Sequence, residues 1–361
     1  MNSLGNTNMK TLIQTAVATL FAASAAHAQG CVGDVAVDGR VDGGDLGVLL
    51  ANWGPVTSTA LSRACDFDNS GQVDGADLGG LLAGWGACPP AVPAWATLIE
   101  ALPDPSVVTD QALRAAITAS GLAWRVRDTG TGIEMLLVPP GTFQMGCSPS
   151  LQSGCQMAEN PIHFVTITSS FYLGRFEVTQ SQWQQVAGGN PSFFTGLSDS
   201  SVRPVERVSL PVVHAFLQTT GLRLPTEAEW EYACRAGTQT AFHGTSTAPS
   251  GSDDEADHAA IAWTSSNSGS QTHPVGTRQA NGLGFFDMLG NVLEWTGDRF
   301  SADYYASSPA EDPLGPSVGS QAVMRGGAWL ADTYNCRTSS RWSDDPMTAS
   351  NRIGFRVARN P

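Results

Sequence analysis

The stretch from Gly221 to Gly237, GLRLPTEAEWEYACRAG, dictates an end, a crossing and a beginning. Gly221 closes a preceding helix as the left-handed residue past its C-terminus. Leu222-Arg223-Leu224 crosses in extended form, because the residue before Pro225 is kept out of the helical region. Thr226 then caps a new helix, and Glu229 three residues on completes a capping box. Ala228, Tyr232 and Cys234 follow at helical spacing with Trp230 alongside, so the spacing predicts a core helix. Thirty-nine Gly, 21 Pro and ten Trp in 361 residues fit the same picture of many loops pinned by large rings.

Three further runs follow in order: GNVLEWT (290–296), RGGAW (325–329) and GFRVAR (354–359). With the central run, they closely resemble the sulfatase-modifying-factor family, which includes the formylglycine-generating enzymes, over about residues 133–360. The resemblance implies an α+β domain over 133–361, of C-type-lectin-like, formylglycine-generating-enzyme-type fold, with little regular secondary structure. It also implies a reaction, the oxidation of a cysteine in a sulfatase's Cys-X-Pro-X-Arg segment to formylglycine. Active members hold Cu(I) between two cysteines shortly after the RGG motif, since two soft sulfurs select that ion. The corresponding segment here, RGGAWLADTYNCRTSSRWSDDP, contains Cys336 alone. Counting forward from Gly326-Gly327 puts Cys336 on the upstream copper cysteine. Counting back from Arg341 and Pro346 puts Thr338 on the downstream one. A hydroxyl is a poor Cu(I) ligand, so the copper pair reads as incomplete. The competing reading is a non-catalytic ligand- or protein-binding module of lectin-like fold, with recognition on its loops.

The same resemblance implies a structural calcium ion held by Asp287, the Gly290 and Val292 carbonyls, and Glu294. Oxygens from an irregular turn suit a hard cation; the plainer alternative is that Glu294 pairs with an arginine in the core. Cys234 falls where relatives carry a disulfide to the GFR strand, but that partner is Val357 here. Cys234 then reads as a buried free thiol, the commoner fate of such cysteines, with a Cys234–Cys336 disulfide as the alternative.

Near the N-terminus two segments repeat with an offset of thirty-two residues: DVAVDGRVDGGDLGVLLANWG from Asp34 and DFDNSGQVDGADLGGLLAGWG from Asp66. The second puts Asp66, Asp68, Ser70, Asp74 and Asp77 at calcium-loop positions 1, 3, 5, 9 and 12. Gly71 sits at the sharp turn and the Gln72 carbonyl at position 7. The first keeps Asp34, Asp38, Asp42 and Asp45, while Ala36 supplies no oxygen. Each loop is followed by a single helix, and Leu78, Leu81, Leu82 and Trp85 are expected on one face of the second. A doubled loop with only exiting helices resembles a dockerin-type module, here 29–88, and implies calcium as a cofactor and a cohesin-like partner. So small a core needs ions or disulfides to fold well.

Lys10, the apolar run 11–26 and Ala26-His27-Ala28 read as a signal peptide, 1–28, cleaved near Ala28. No other stretch is apolar and long enough to span a membrane, so an exported mature chain is expected. Export permits disulfides, and Cys147–Cys155 around SPSLQSG is the expected pair. Cys31, Cys65 and Cys88 leave one pair and one free thiol. The net charge of -14, with no Lys/Arg cluster, argues against nucleic acid as a partner. Residues 89–132 read as linker and lead-in, with 95–102 as a helical turn or two, a helix over 110–120, and strands at LAWRVRD and IEMLLVP. VTITSSFYLGRFEVT (165–179) alternates as a hairpin, and Thr179 caps a helix carrying Trp183. Five histidines, His163, His214, His243, His258 and His273, show no HxH or HxxxH spacing, and none signals zinc or iron.

Overall fold

The computed structural model describes residues 31, 33–36, 39–149 and 154–361. The chain forms two compact units that divide between Ala91 and Val92. The expected signal peptide and Asp38 lie outside the described residues. Among the described residues no helix is long and apolar enough to cross a membrane.

In the first unit, α1 (Gly43–Ala51) and α3 (Gly75–Ala83) start alike. Asp42 and Asp74 cap them, and Asp45 and Asp77 reach back to complete each capping box. A short α2 (Ala60–Ala64) lies between. The strand contacts repeat too: Arg40 pairs with Ala87, and, one repeat later, Gln72 pairs with Pro55. Two copies of one sequence thus build a pseudo-two-fold unit. Its core is Val35, Val41, Leu49, Cys65, Val73 and Leu81. A Cys31–Cys88 disulfide closes it, and Cys65 is the buried free thiol. Leu82 and Trp85 do not share the face of Leu81: they are 52% and 49% exposed, as are Leu50 and Trp53 of the first repeat. Each residue turns a helix by about 100°, and a core this small takes one side chain per turn.

The second unit is built on a five-stranded and a four-stranded sheet, with a separate two-stranded sheet beside them. The larger runs Ala358–Arg359, Phe171–Gly174, Glu134–Val138, Arg125–Asp128 and Ala96–Glu100, all antiparallel. The smaller runs Trp342–Asp344, Ala322–Arg325, Leu293–Arg299 and Ile353–Gly354, the last pair parallel. The stretch expected as linker therefore supplies two strands and α4 (Gln111–Ala119), and 96–100 is extended rather than helical. Trp95 explains this. Its ring lies edge-on to Tyr172 and under the Arg359 guanidinium, which anchors the strand that follows. The expected hairpin over 165–179 is also corrected. His163–Ile167 pairs with Gly141–Met145, whereas Phe171–Gly174 joins the larger sheet. The burial differs accordingly: Phe171–Gly174 is buried throughout, as a central strand must be, while Phe164 is exposed.

The helices α5 (Gln180–Ala187) and α6 (Leu210–Thr220) pack by stacking Trp183 on Phe216, with ring centroids 5.2 Å apart. α5 carries the expected Thr179–Gln182 capping box. Gly221 closes α6 at φ 70, the left-handed conformation that its position required. The chain then crosses at Arg223, bridged to Ala358, into α7 (Glu227–Arg235). Thr226 and Glu229 form its capping box, as the sequence dictates. α7 is buried on nearly every side, Glu227, Glu231 and Arg235 included.

Candidate functional site

Buried charges on α7 require partners, and arginines from the RGG and Cys336 segments supply them. Arg341 Nε and Nη2 donate to the two Glu227 oxygens at 2.7 and 2.8 Å. Arg325 bridges Glu227 and Glu231. Burial would push the Glu227 carboxyl up, but Arg341 and Arg325 outweigh it and hold it below the usual carboxylate range. Arg337 makes a second two-pronged pair with Glu159, at 2.7 Å on both oxygens. The arginines on either side of Cys336 thus fix the segment to the core.

Two glycine turns interlock above them. Gly290 N donates to Gly326 O at 2.8 Å, and Trp329 N to Asn291 O at 2.8 Å. Gly326 and Gly327 take φ 92 and 82, and a Cβ at Gly327 would stand 2.3 Å from Cys336 Sγ. Only glycine fits there, so RGG is the seat of the thiol. Cys336 is wholly buried, and burial pushes its thiol up to about 12. The Thr338 hydroxyl is turned away, donating to Thr240 O at 2.9 Å. Cys234 and Cys336 are both free and buried, so the disulfide between them does not form. Cys147–Cys155 forms as expected.

Asp287, Gly290, Val292 and Glu294 are all buried around the same turn. Asp287 accepts from Gly276 N through Oδ2, and its Oδ1 has no hydrogen-bond partner. Burial raises its carboxyl to about 6. An acidic oxygen left bare in the interior suits a hard cation. Glu294 fits less well, because Arg356 grips both oxygens at 2.7 Å and Trp230 Nε1 donates to one. The arginine pairing raised as the plainer alternative is present. Sequence reasoning missed Glu177, which faces this turn: it accepts from Asn291 Nδ2 and Val292 N at 2.6 and 3.0 Å. Nothing in its FEVT context distinguishes it from a surface glutamate.

In the first unit, carboxylate oxygens of Asp66, Asp68 and Asp77 come within 4.8 Å of one another. Asp77 is steered there by Phe67 N and Asp74 N, and Ser70 Oγ lies against the Gln72 carbonyl. Asp74 spends an oxygen on the helix cap instead. In the first loop Asp45 is held alike by Ala36 N and Asp42 N, and Asp34 accepts from Gly39 N. The donor set of the second loop is the oxygen set that calcium takes. Elsewhere, a cleft of about 390 Å³ lined by Phe171, Arg223, Leu224 and Glu229 shares no residue with these sites. Arg223 and Glu229 neutralise each other in it.

The arrangement matches known proteins over the second unit. Residues 123–361 match the sulfatase-modifying factor enzyme 1-like domain. The formylglycine-generating enzyme of Streptomyces coelicolor is 36% identical over 197 residues, covering 51% of this chain and 60% of that protein. That of Mus musculus is 28% identical over 287 residues, covering 62% and 74%. The chain thus spans under two thirds of the length of the Streptomyces relative. Among solved structures, Treponema denticola variable protein 1 superposes with a TM-score of 0.56 at 29% identity, over 63% of this chain and 95% of that one. PvdO from Pseudomonas aeruginosa gives 0.55 at 26%, over 66% and 98%. The interlocked GN and RGG turns, the arginine-clamped helix and these matches lead to one assignment: the chain belongs to the sulfatase-modifying factor family.

Proposed function

We propose that this is an exported sulfatase-modifying-factor-like protein whose large domain engages a cysteine-bearing sulfatase segment without oxidising it through a two-sulfur copper site. The formylglycine-generating relatives support the first part of the reading. The observation that carries the second is the donor set: Cys336 is a free, buried cysteine, and the Thr338 hydroxyl is committed to Thr240 O. Two-thiolate Cu(I) coordination needs a second soft ligand. The donor set therefore does not fit that copper site, and no copper step is derived from it. Two disulfides among the described residues are compatible with export.

The calcium sites belong to the same reading. The first unit is proposed to hold calcium through Asp66, Asp68, Ser70, the Gln72 carbonyl, Asp74 and Asp77, with Asp34, Asp38, Asp42 and Asp45 as a weaker loop. The large domain would take a further ion at Asp287, with the Gly290 and Val292 carbonyls and Glu294. As a dockerin-like module, the first unit would display the large domain on a cohesin-like protein. Fluorescence anisotropy with a labelled Cys-X-Pro-X-Arg peptide tests the engagement. Saturable binding that Cys336→Ser leaves unchanged is expected; no binding at millimolar peptide would refute it.

A further inference from the structure

Trp263 is joined to the GN turn by a main-chain bridge to Gly290, and Asn291 N donates to Trp263 O at 2.9 Å. Both faces of its indole are covered. His273 lies on one, with ring centroids 3.6 Å apart and planes 12° from parallel. The Arg278 guanidinium carbon stands 3.5 Å from the Trp263 ring centroid. Two groups so near one centroid would overlap on a single face, so Arg278 takes the other.

The run from His273 to Gln279 builds this stack. His273 N donates to Asn291 Oδ1 at 2.9 Å, and its Nε2 donates to Ser268 O at 2.7 Å. Thr277 Oγ1 donates to Pro274 O at 2.9 Å and accepts from Trp263 Nε1 at 3.0 Å, which ties the turn to the indole. Gln279 N then donates to Ala260 O at 3.0 Å. Arg278 is thus held in place through both of its chain neighbours.

The guanidinium itself is left unused. Among the described residues, every other buried or half-buried arginine donates to a carboxylate or a carbonyl. Arg278, also half-buried, donates to none, and its Nε is buried without a partner. A buried donor without an acceptor is uncommon and requires an explanation. Asp287 is the acid that attracts Arg278, yet its bare Oδ1 accepts from nothing, so the two do not pair. Stacking fixes the guanidinium on the indole while its N–H donors, which lie in its own plane, point outward past the ring. That fork matches two oxygens of one oxyanion. We propose that Arg278, presented on Trp263, is a binding subsite for the oxyanion of a ligand, a carboxylate, sulfate or phosphate group, beside the GN turn. The net charge of -14 repels anions at long range, so contact with the fork has to hold the ligand. The subsite uses no atom of Cys336, and the proposal stands whether or not the domain engages sulfatases.

The test is calorimetric titration of the full chain in low-salt buffer with acetate, inorganic sulfate and inorganic phosphate, joined to NMR of the arginine Nε–Hε signals. At least one of the three is expected to bind saturably at a single site and to shift the signal that Arg278→Gln removes. Which anion binds separates a planar carboxylate from the tetrahedral groups. Arg278→Gln should abolish binding. Arg278→Lys keeps the charge without the fork and should bind about tenfold more weakly. Arg352→Gln, at an exposed arginine, should bind as the unaltered chain does. Arg278 makes no hydrogen bond to lose, so its replacement leaves the bonds of the fold in place. No saturable binding of any of the three, unchanged affinity in either Arg278 variant, or an equal loss in Arg352→Gln would each overturn the proposal. Failure of peptide engagement with this anion site intact would bear only on the sulfatase reading.

Discussion

At the scale of single residues, Glu206 is the sharpest case. It accepts from Phe193 N and Phe194 N through Oε1, while its Oε2 is buried without a partner. Burial raises its carboxyl to about 7, against the pull of the Phe194 and Phe193 amides and Arg207. The folded state therefore holds a proton that the unfolded chain releases near pH 4.3. This stabilisation is full below that pH and is lost as pH rises through about 7. Glu206→Gln cannot ionise, so melting curves should show it a few degrees more stable than the parent at pH 8 and equal at pH 4. Gly327 gives a steric counterpart. Gly327→Ala meets Cys336 Sγ and is held at φ 82, which should cost about 2–4 kcal/mol. Adding Cys336→Ala should recover part of that, read as a non-additive cycle in urea melts. The RGG and Cys336 positions were legible because glycine at a forced conformation leaves a sequence mark.

Secondary elements were legible where end signals and side chains agreed. The Thr226–Glu229 capping box set the start of α7, and Gly221 set the end of α6. Thr226→Ala should lower stability by about 1 kcal/mol. The strands at 163–167 and 171–174 misled, because alternation identifies a strand but not its partner. Ser169-Ser170 looks like a hairpin turn and instead hands the chain from one sheet to another. A core arginine for Glu294 was foreseen as an alternative, but not which one, since an arginine in GFR gives no sign of its acid. Arg356→Met would leave Glu294 buried with Trp230 as its remaining donor, and should cost about 3–5 kcal/mol. Replacing both, as Arg356→Met with Glu294→Leu, should cost less than the single change. Paired chemical denaturation curves measure the difference.

For the whole molecule, the sequence anticipated two folded regions but placed the second too late, at residue 133 rather than 92. A Pro- and Ala-rich composition suggested a spacer, although Trp95 and its stacking partners make it part of the sheet. The two units should respond separately to their supports. Calcium chelation should lower the melting transition of the small unit and reduce that of the large domain far less, read as two peaks by calorimetry. Reduction should act in the same direction, because the Cys31–Cys88 bond, with a separation of 57 residues, contributes about 4 kcal/mol by loop entropy. The measurement that bears most directly on the central claim is incubation of the reduced protein with Cu(I), oxygen and a Cys-X-Pro-X-Arg peptide, read by mass spectrometry. The proposed reading, in which Cys336 is the one sulfur available to copper, predicts peptide recovered with its cysteine intact. Aldehyde that disappears in Cys336→Ser would contradict the account and establish an oxidase working through this one thiol.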